Sequence, residues 1–281
     1  FLVFPWFRRN LSMKTSTLEN RILWIALCVI ATIDADGALI AMRPWTSLLE
    51  SSWSADFAYQ WTAQSIIEGH PWIDYPVSNV LKYMANPYDP SFRQQLIDAS
   101  GENYLYDFVL SGGRYYSYFG VLPCLLFFVP FKLITGNDLS AWKVIALLIF
   151  AITILAFLTV RLLFKRFAPT TPALIQAMCG LALAFISQPA LYLSLTTRAT
   201  YSVPIGSAIA LSYGAICLWL SASMQQSRAK FLVYTGLGGF SAGLILGCRP
   251  QLSIIFLLAP VILAERLNND RRGEIRFSWL K

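Results

Sequence analysis

The stretch AWKVIALLIFAITILAFLTVRLL, residues 141–163, decides what kind of chain this is. Between Lys143 and Arg161 it carries no charge, and it is long enough to cross a hydrocarbon layer as a helix, which takes about 20 mostly apolar residues. Working outward from it, similar apolar runs fall at roughly 22–41, 119–135, 173–195, 202–222, 231–248 and 252–265. The composition agrees: 56% hydrophobic, 15% aromatic and 13% charged, against roughly 25% charged in a soluble domain. Such a chain has too little polar surface to stay in water as a monomer. The expected fold class is all-α, a polytopic transmembrane helix bundle.

The net charge of +7 does not point to nucleic acid. The basic residues sit in short clusters between apolar runs, the pattern of cytoplasmic membrane loops. The clusters are Lys14 and Arg21; Arg161, Lys165 and Arg166; Arg228 and Lys230; and Arg266, Arg271, Arg272 and Arg276. They share one side only if an even number of spans separates each pair. Run 119–135 breaks that parity if it crosses. Its prolines, Pro123 and Pro130, and its Tyr-rich entry favour an interfacial or re-entrant helix instead.

The organisation that follows has a cytoplasmic segment 1–21, a first transmembrane helix 22–41, an extracytoplasmic loop 42–140 with juxtamembrane helices, five further spans within 141–265, and a cytoplasmic segment 266–281. The expected location is the inner (plasma) membrane, multi-pass, with the N-terminus cytoplasmic. Met13 opens Met13-Lys14-Thr15-Ser16-Thr17, the expected start, so residues 1–12 carry no structural weight. The chain is expected to continue past the charged stretch ending at Lys281.

Within the runs, Asp34 and Asp36 are costly at the bilayer centre and are expected near the outer end of the first span. Gly236, Gly238, Gly239, Gly243 and Gly247 allow close helix approach. Cys28, Cys124, Cys179, Cys217 and Cys248 lie in or beside apolar runs without a C-x-x-C pair, and read as small core residues. His70 is the single histidine and builds no histidine-based metal cluster alone. No P-loop, Rossmann fingerprint, HExxH or G-x-S-x-G pattern is present, which leaves a nucleotide-driven pump and a metalloprotease unsupported. No cofactor is expected and no metal ligand is assigned; a divalent metal is left open, without support from the residues.

The long loop from Arg43 to Ser117 is polar, aromatic and punctuated by prolines, and reads as a folded loop against the membrane surface. Most of its acids solvate it. Asp56 stands out, because Phe57 through Glu68 reads as an amphipathic helix ended by Gly69, with Ser54 a possible cap and Asp56 in the first turn. A carboxylate there can act as a general base. Asn86-Pro87-Tyr88-Asp89-Pro90 reads as a turn, with structural and functional readings of Asp89 both open. Gly112-Gly113-Arg114-Tyr115-Tyr116 is a glycine turn feeding a tyrosine cluster, either an aromatic belt or a platform for sugar or headgroup that would use Arg114 and Tyr116. Arg198 and Arg249 fall on the outer side. An arginine at membrane depth pairs with an acid or an anion, and its planar fork suits phosphate.

These parts together resemble the GT-C class of integral-membrane glycosyltransferases, which includes protein mannosyltransferases and aminoarabinose transferases of lipid A. The resemblance rests on one span followed by a long loop with an early Asp, on Asn86-Pro87-Tyr88-Asp89, on Tyr115-Tyr116-Ser117-Tyr118-Phe119-Gly120, on Phe131 to Asn137, on Arg161 to Phe167, and on Cys248-Arg249-Pro250. It covers roughly residues 20–265 with short motifs. It implies transfer of a sugar from a polyprenyl-phosphate carrier to a glycan, lipid or protein acceptor at the outer face, with Asp56 as base. It also implies juxtamembrane helices in the first loop. The chain departs from the family where Asp56 is followed by Phe57 rather than a second acid, and where the next outer loop offers Arg198 and no carboxylate. The alternatives are a non-enzymatic transporter or flippase of lipid-linked glycans, or an inactive assembly subunit.

Overall fold

The computed structural model describes residue 21 and residues 24–37, 57–101, 104–105, 108–188 and 199–271. The chain is predominantly helical. Helix α1 covers 24–37, α2 Ala58–Ile67, α3 Asn79–Tyr83 and α4 Pro90–Ser100. A short antiparallel hairpin interrupts the helices, with β1 Val109–Ser111 paired to β2 Arg114–Tyr116 in the register Val109 to Tyr116. Its turn is Gly112-Gly113, with φ of 57° and 72°. Two consecutive left-handed residues make the tight turn that matches strand twist, and glycine enters that region without strain.

Helix α5, Val121–Thr135, follows. Pro130 brings no N–H to the carbonyl four residues back, and the ladder relaxes into a π turn over Cys124–Phe128. The remaining helices are α6 Ala141–Phe167, α7 Ala173–Ser187, α8 Ala199–Ser223, α9 Arg228–Leu244 and α10 Leu258–Arg271. A 3-10 turn Ile245–Gly247 ends α9, and a 3-10 stretch Pro250–Leu257 leads into α10. Between them Arg249 is extended, with φ −146° and ψ 97°. Pro250 explains the break, since the residue before a proline is pushed out of the helical region.

Among the described residues four helices are long and apolar enough to cross a membrane: Ala141–Phe167, Thr200–Ser223, Arg228–Gly247 and Pro250–Asn268. Helices α5 and α7 are apolar but shorter than the 18 residues, about 27 Å, that the other four exceed. For the expected runs 22–41 and 173–195, residues 22–23, 38–41 and 189–195 lie outside the described residues.

Contacts fix the directions. Thr159 meets Cys217 at 3.1 Å, and Arg166 donates to Ser223 Oγ, so α6 and α8 run parallel. Helix α9 runs back along α8: Ser241 Oγ donates to the Leu211 carbonyl at 3.0 Å, and Gly238 lies under the fully buried Trp219. Helix α7 returns along α6, with Gly180 against Phe157. Helix α1 also lies along α6, through Trp24 on Phe157 with ring centres 5.3 Å apart.

One end of this assembly is pinned by Arg166, which bonds the Ile262 carbonyl at 2.7 Å and pairs with Glu265 at 3.1 Å. The other end receives the 57–140 segment. There Ala58, Tyr59, Phe119, Cys124 and Phe128 share one buried cluster with Ile145, Ile149 and Val203 at the starts of α6 and α8. The faces of α7 and α9 that point away from neighbours expose Leu174, Met178, Phe185 and Ile186, and Val233, Leu237 and Phe240. A large exposed apolar surface marks contact with a membrane or partner, and on α9, which with its 3-10 turn is long enough to cross, it is what lipid requires.

Asp34 stands near the described end of α1, opposite the middle of α6. Its carboxylate accepts from Thr153 Oγ1 at 3.4 Å, near the middle of that helix, and Gln188 Nε2 donates to the same hydroxyl at 2.8 Å. Helix α1 crosses α6 so that Trp24 and Asp34 meet residues only one helical turn apart, which brings Asp34 inward. Asp36 is exposed. All five cysteines are free thiols.

Candidate functional site

The segment Tyr118-Phe119-Gly120 is where three distant parts of the chain converge. Helix α2 reaches it through Tyr59, whose ring centre is 6.2 Å from that of Phe119 and whose hydroxyl donates to the Gly120 carbonyl at 3.4 Å. The start of α8 reaches it through Tyr201, edge-on to Phe119 at 5.2 Å and 3.0 Å from the Tyr118 hydroxyl. The α9–α10 break reaches it through backbone: a Cβ on Gly120 would stand 2.3 Å from the Cys248 carbonyl oxygen. Gly120 is therefore a place where only hydrogen fits.

Each arm of this junction adjoins a residue that the sequence singled out. Tyr59 is three residues after Asp56, Tyr201 three after Arg198, and Cys248 directly precedes Arg249. Asp56 and Arg198 themselves, like Ser54, lie outside the described residues. Among the described residues helix α2 begins at Ala58 with Phe57 as its N-cap, and the expected first-turn position of Asp56 lies outside them. Its end agrees with the expectation, with Gly69 at φ 85° just beyond Glu68.

Arg249 is partly buried, and its Nε has no hydrogen-bond partner among the described residues. Close by, burial pushes the Tyr59 hydroxyl well above the usual phenol range, the Cys124 and Cys248 thiols add to the rise, and the Arg249 charge opposes it. Tyr59 is accordingly a neutral phenol at physiological pH. Burial likewise pushes the Cys124 thiol up to about 12, which leaves it an inert core group.

The other predicted residues go elsewhere. Asp89 caps α4: its Oδ1 accepts from Ser91 N at 3.1 Å, Ser91 Oγ at 2.8 Å and Phe92 N at 3.3 Å. The Ser91 hydroxyl, with the Phe92 amide, holds its carboxyl below the usual carboxylate range. That use was legible as Asp-Pro at a helix start. Tyr116 is half-buried in the hairpin opposite Val109. Arg114 lays its guanidinium over the Trp72 ring at 3.9 Å.

Trp72 in turn belongs to a group that sequence reasoning missed. His70 Nε2 lies 3.2 Å from Glu68 Oε2 and 3.3 Å from Asp74 Oδ2, and the three ligand-type atoms all fall within 4.8 Å. The signal was present as Glu68-Gly69-His70-Pro71-Trp72-Ile73-Asp74, with acids at −2 and +4 of the one histidine. A lone histidine discouraged the metal reading, although mixed imidazole and carboxylate sets bind metals too.

Comparison of the chain with protein-family models, with curated proteins and with solved structures found no match.

Proposed function

We propose that this chain is an integral-membrane glycosyltransferase that moves a sugar from a polyprenyl-phosphate carrier to an acceptor hydroxyl at the outer membrane face. The observation that carries the reading is the junction at Tyr118-Phe119-Gly120. It draws the break holding Arg249 against Tyr59, on the helix that begins just past Asp56. A partly buried guanidinium whose buried Nε has no partner among the described residues suits a ligand anion. A helix break with a cation at the membrane surface is a reasonable seat for a lipid phosphate. The topology belongs to the same proposal: six spans, N-terminus inside, loop 42–140 outside. Its support is that Arg161, Lys165, Arg166, Arg228, Lys230 and Arg266 occupy the end opposite the 57–140 segment, as the positive-inside rule requires.

In this reading the Asp56 carboxylate takes the proton of the acceptor hydroxyl. The acceptor oxygen bonds to the anomeric carbon, and the bond from that carbon to the phosphate oxygen breaks. Polyprenyl phosphate leaves with the electron pair, its charge held by Arg249, with Arg198 as a second candidate. The test is transfer from radiolabelled polyprenyl-phosphate sugars by the protein in membranes. Asp56→Asn is expected to lower transfer about 100-fold or more, the usual scale for a general base. Arg249→Lys, which keeps charge and loses the fork, is expected to raise the donor KM. Unchanged transfer by Asp56→Asn refutes the assignment.

A second reading, a transporter or flippase of lipid-linked glycans, has its own observation. Asp34, Thr153 and Gln188 form a polar group near the middle of α6, with Gln188 buried and its Oε1 without a partner among the described residues. Polar groups at mid-membrane are what such a carrier needs. Lipid-linked sugar flux in proteoliposomes, abolished by Asp34→Asn in the absence of any transferase activity, would favour it.

A further inference from the structure

We propose that Glu68, His70 and Asp74 form a divalent-cation site of the zinc type, independent of the glycosyl-transfer reading. The argument starts from the imidazole. Its Nδ1 lies 2.8 Å from the Trp72 carbonyl oxygen, which only accepts, so Nδ1 carries the proton. Nε2 then turns toward Glu68 Oε2 and Asp74 Oδ2 at 3.2 and 3.3 Å. In a neutral ring that places a lone pair against two anionic oxygens. A shared cation, or a second proton on the ring, resolves the conflict.

The surroundings are those of a metal ligand set. Each of the three side chains is held by the atom that does not face the others. Glu68 Oε1 accepts from Gln64 Nε2, His70 Nδ1 bonds the Trp72 carbonyl, and Asp74 Oδ1 accepts from Trp72 Nε1 at 3.1 Å. Second partners of this kind fix the orientation and tautomer of metal ligands. The His70 ring also stacks on Trp72, with centres 4.4 Å apart and planes at 9°.

Spacing selects the metal. Ligands bound at about 2.0–2.2 Å in a tetrahedron stand about 3.3–3.6 Å apart, close to the 3.2 and 3.3 Å of the two edges that meet at His70. The third edge, Glu68 to Asp74, lies within 4.8 Å, and the ion would draw the two exposed carboxylates together. One imidazole and two carboxylates favour zinc over magnesium or calcium, which prefer all-oxygen shells. Two carboxylates neutralise a divalent ion. With His70 side chain 14% exposed but Glu68 40% and Asp74 67%, the site opens to water on one side, leaving a fourth position for water or substrate.

The single histidine of the chain makes a direct test possible. Tag-free protein of these 281 residues in nanodiscs would be stripped with chelator and titrated with ZnCl2, with zinc counted by mass spectrometry. One zinc per chain is expected, with affinity at least tenfold weaker in Glu68→Gln and Asp74→Asn. Zinc should also protect His70 of the unmutated protein from diethyl pyrocarbonate, a readout that needs no variant to fold. Co2+ should give the intense visible absorption of a four-coordinate site. Equal diethyl pyrocarbonate reactivity with and without zinc would overturn the proposal in favour of a plain imidazolium–carboxylate contact. Displacement of zinc by equimolar Ca2+ would overturn the zinc assignment.

Discussion

Asp89 shows how a single residue type can carry two readings that only geometry separates. An acid in an Asn-Pro-Tyr-Asp turn reads as a sugar contact or as a cap, and the structure gives its Oδ1 to Ser91 and Phe92. A cap needs an acceptor oxygen, not a charge. Asp89→Asn is therefore expected to preserve slow amide exchange in α4, whereas Asp89→Ala should speed it. Transfer lost in Asp89→Asn with α4 intact would restore the binding role. The pH dependence follows from the depressed carboxyl. The cap's contribution is fully present above the ordinary carboxylate pKa of about 4. It is lost as pH falls through the lower folded value. Protection of the α4 amides, measured against the intrinsic exchange rate at each pH, should fall on acidification in the wild type and stay flat in Asp89→Asn.

At the scale of elements, the glycines of α9 divide by what faces them. A Cβ on Gly238 would lie 2.5 Å from Trp219 Nε1, while one on Gly236 would meet nothing within 4 Å. Gly238→Ala is expected to destabilise the protein by about 1–3 kcal/mol, the usual cost of overpacking a filled interface. Gly236→Ala is expected to be neutral or to stabilise by about 0.5–1 kcal/mol, because alanine loses less backbone entropy in a helix. Thermal unfolding of both variants in one detergent checks the pair. If both cost the same, α9 does not lie on α8 through Gly238. The glycine pattern was visible in the sequence as a close-packing stripe. Which glycine meets a partner was not, because that depends on the rotation of α9 against Trp219.

Across the whole molecule, Arg166 ties the ends of α6, α8 and α10 through Ser223, the Ile262 carbonyl and Glu265. The arginine is mostly buried and the glutamate 70% exposed. Arg166→Ala is therefore expected to cost about 2–3 kcal/mol, the scale of charge-assisted bonds to groups left unpaired. Glu265→Gln is expected to cost under about 1 kcal/mol, as exposed ion pairs do. Parallel denaturation of the two variants decides it, and equal losses would mean that the ion pair rather than the buried bonds holds this end. The sequence by itself determined the helical, membrane-type character of the chain, because in runs of apolar side chains such as 141–163 the helix satisfies every polar backbone group within the segment. It also determined the breaks, because Pro250, Gly69 and Gly112-Gly113 act through local sterics that need no distant partner. Only the tertiary structure decided that α2, the start of α8 and the Cys248 corner meet at Phe119 and Gly120. It alone also decided that Asp34 lies beside Thr153, and that Glu68 and Asp74 close on His70 from both sides. The helix meetings depend on how helices rotate and cross, which no spacing along the chain encodes, and the last on how a loop closes, which the −2 and +4 spacing permits but does not impose.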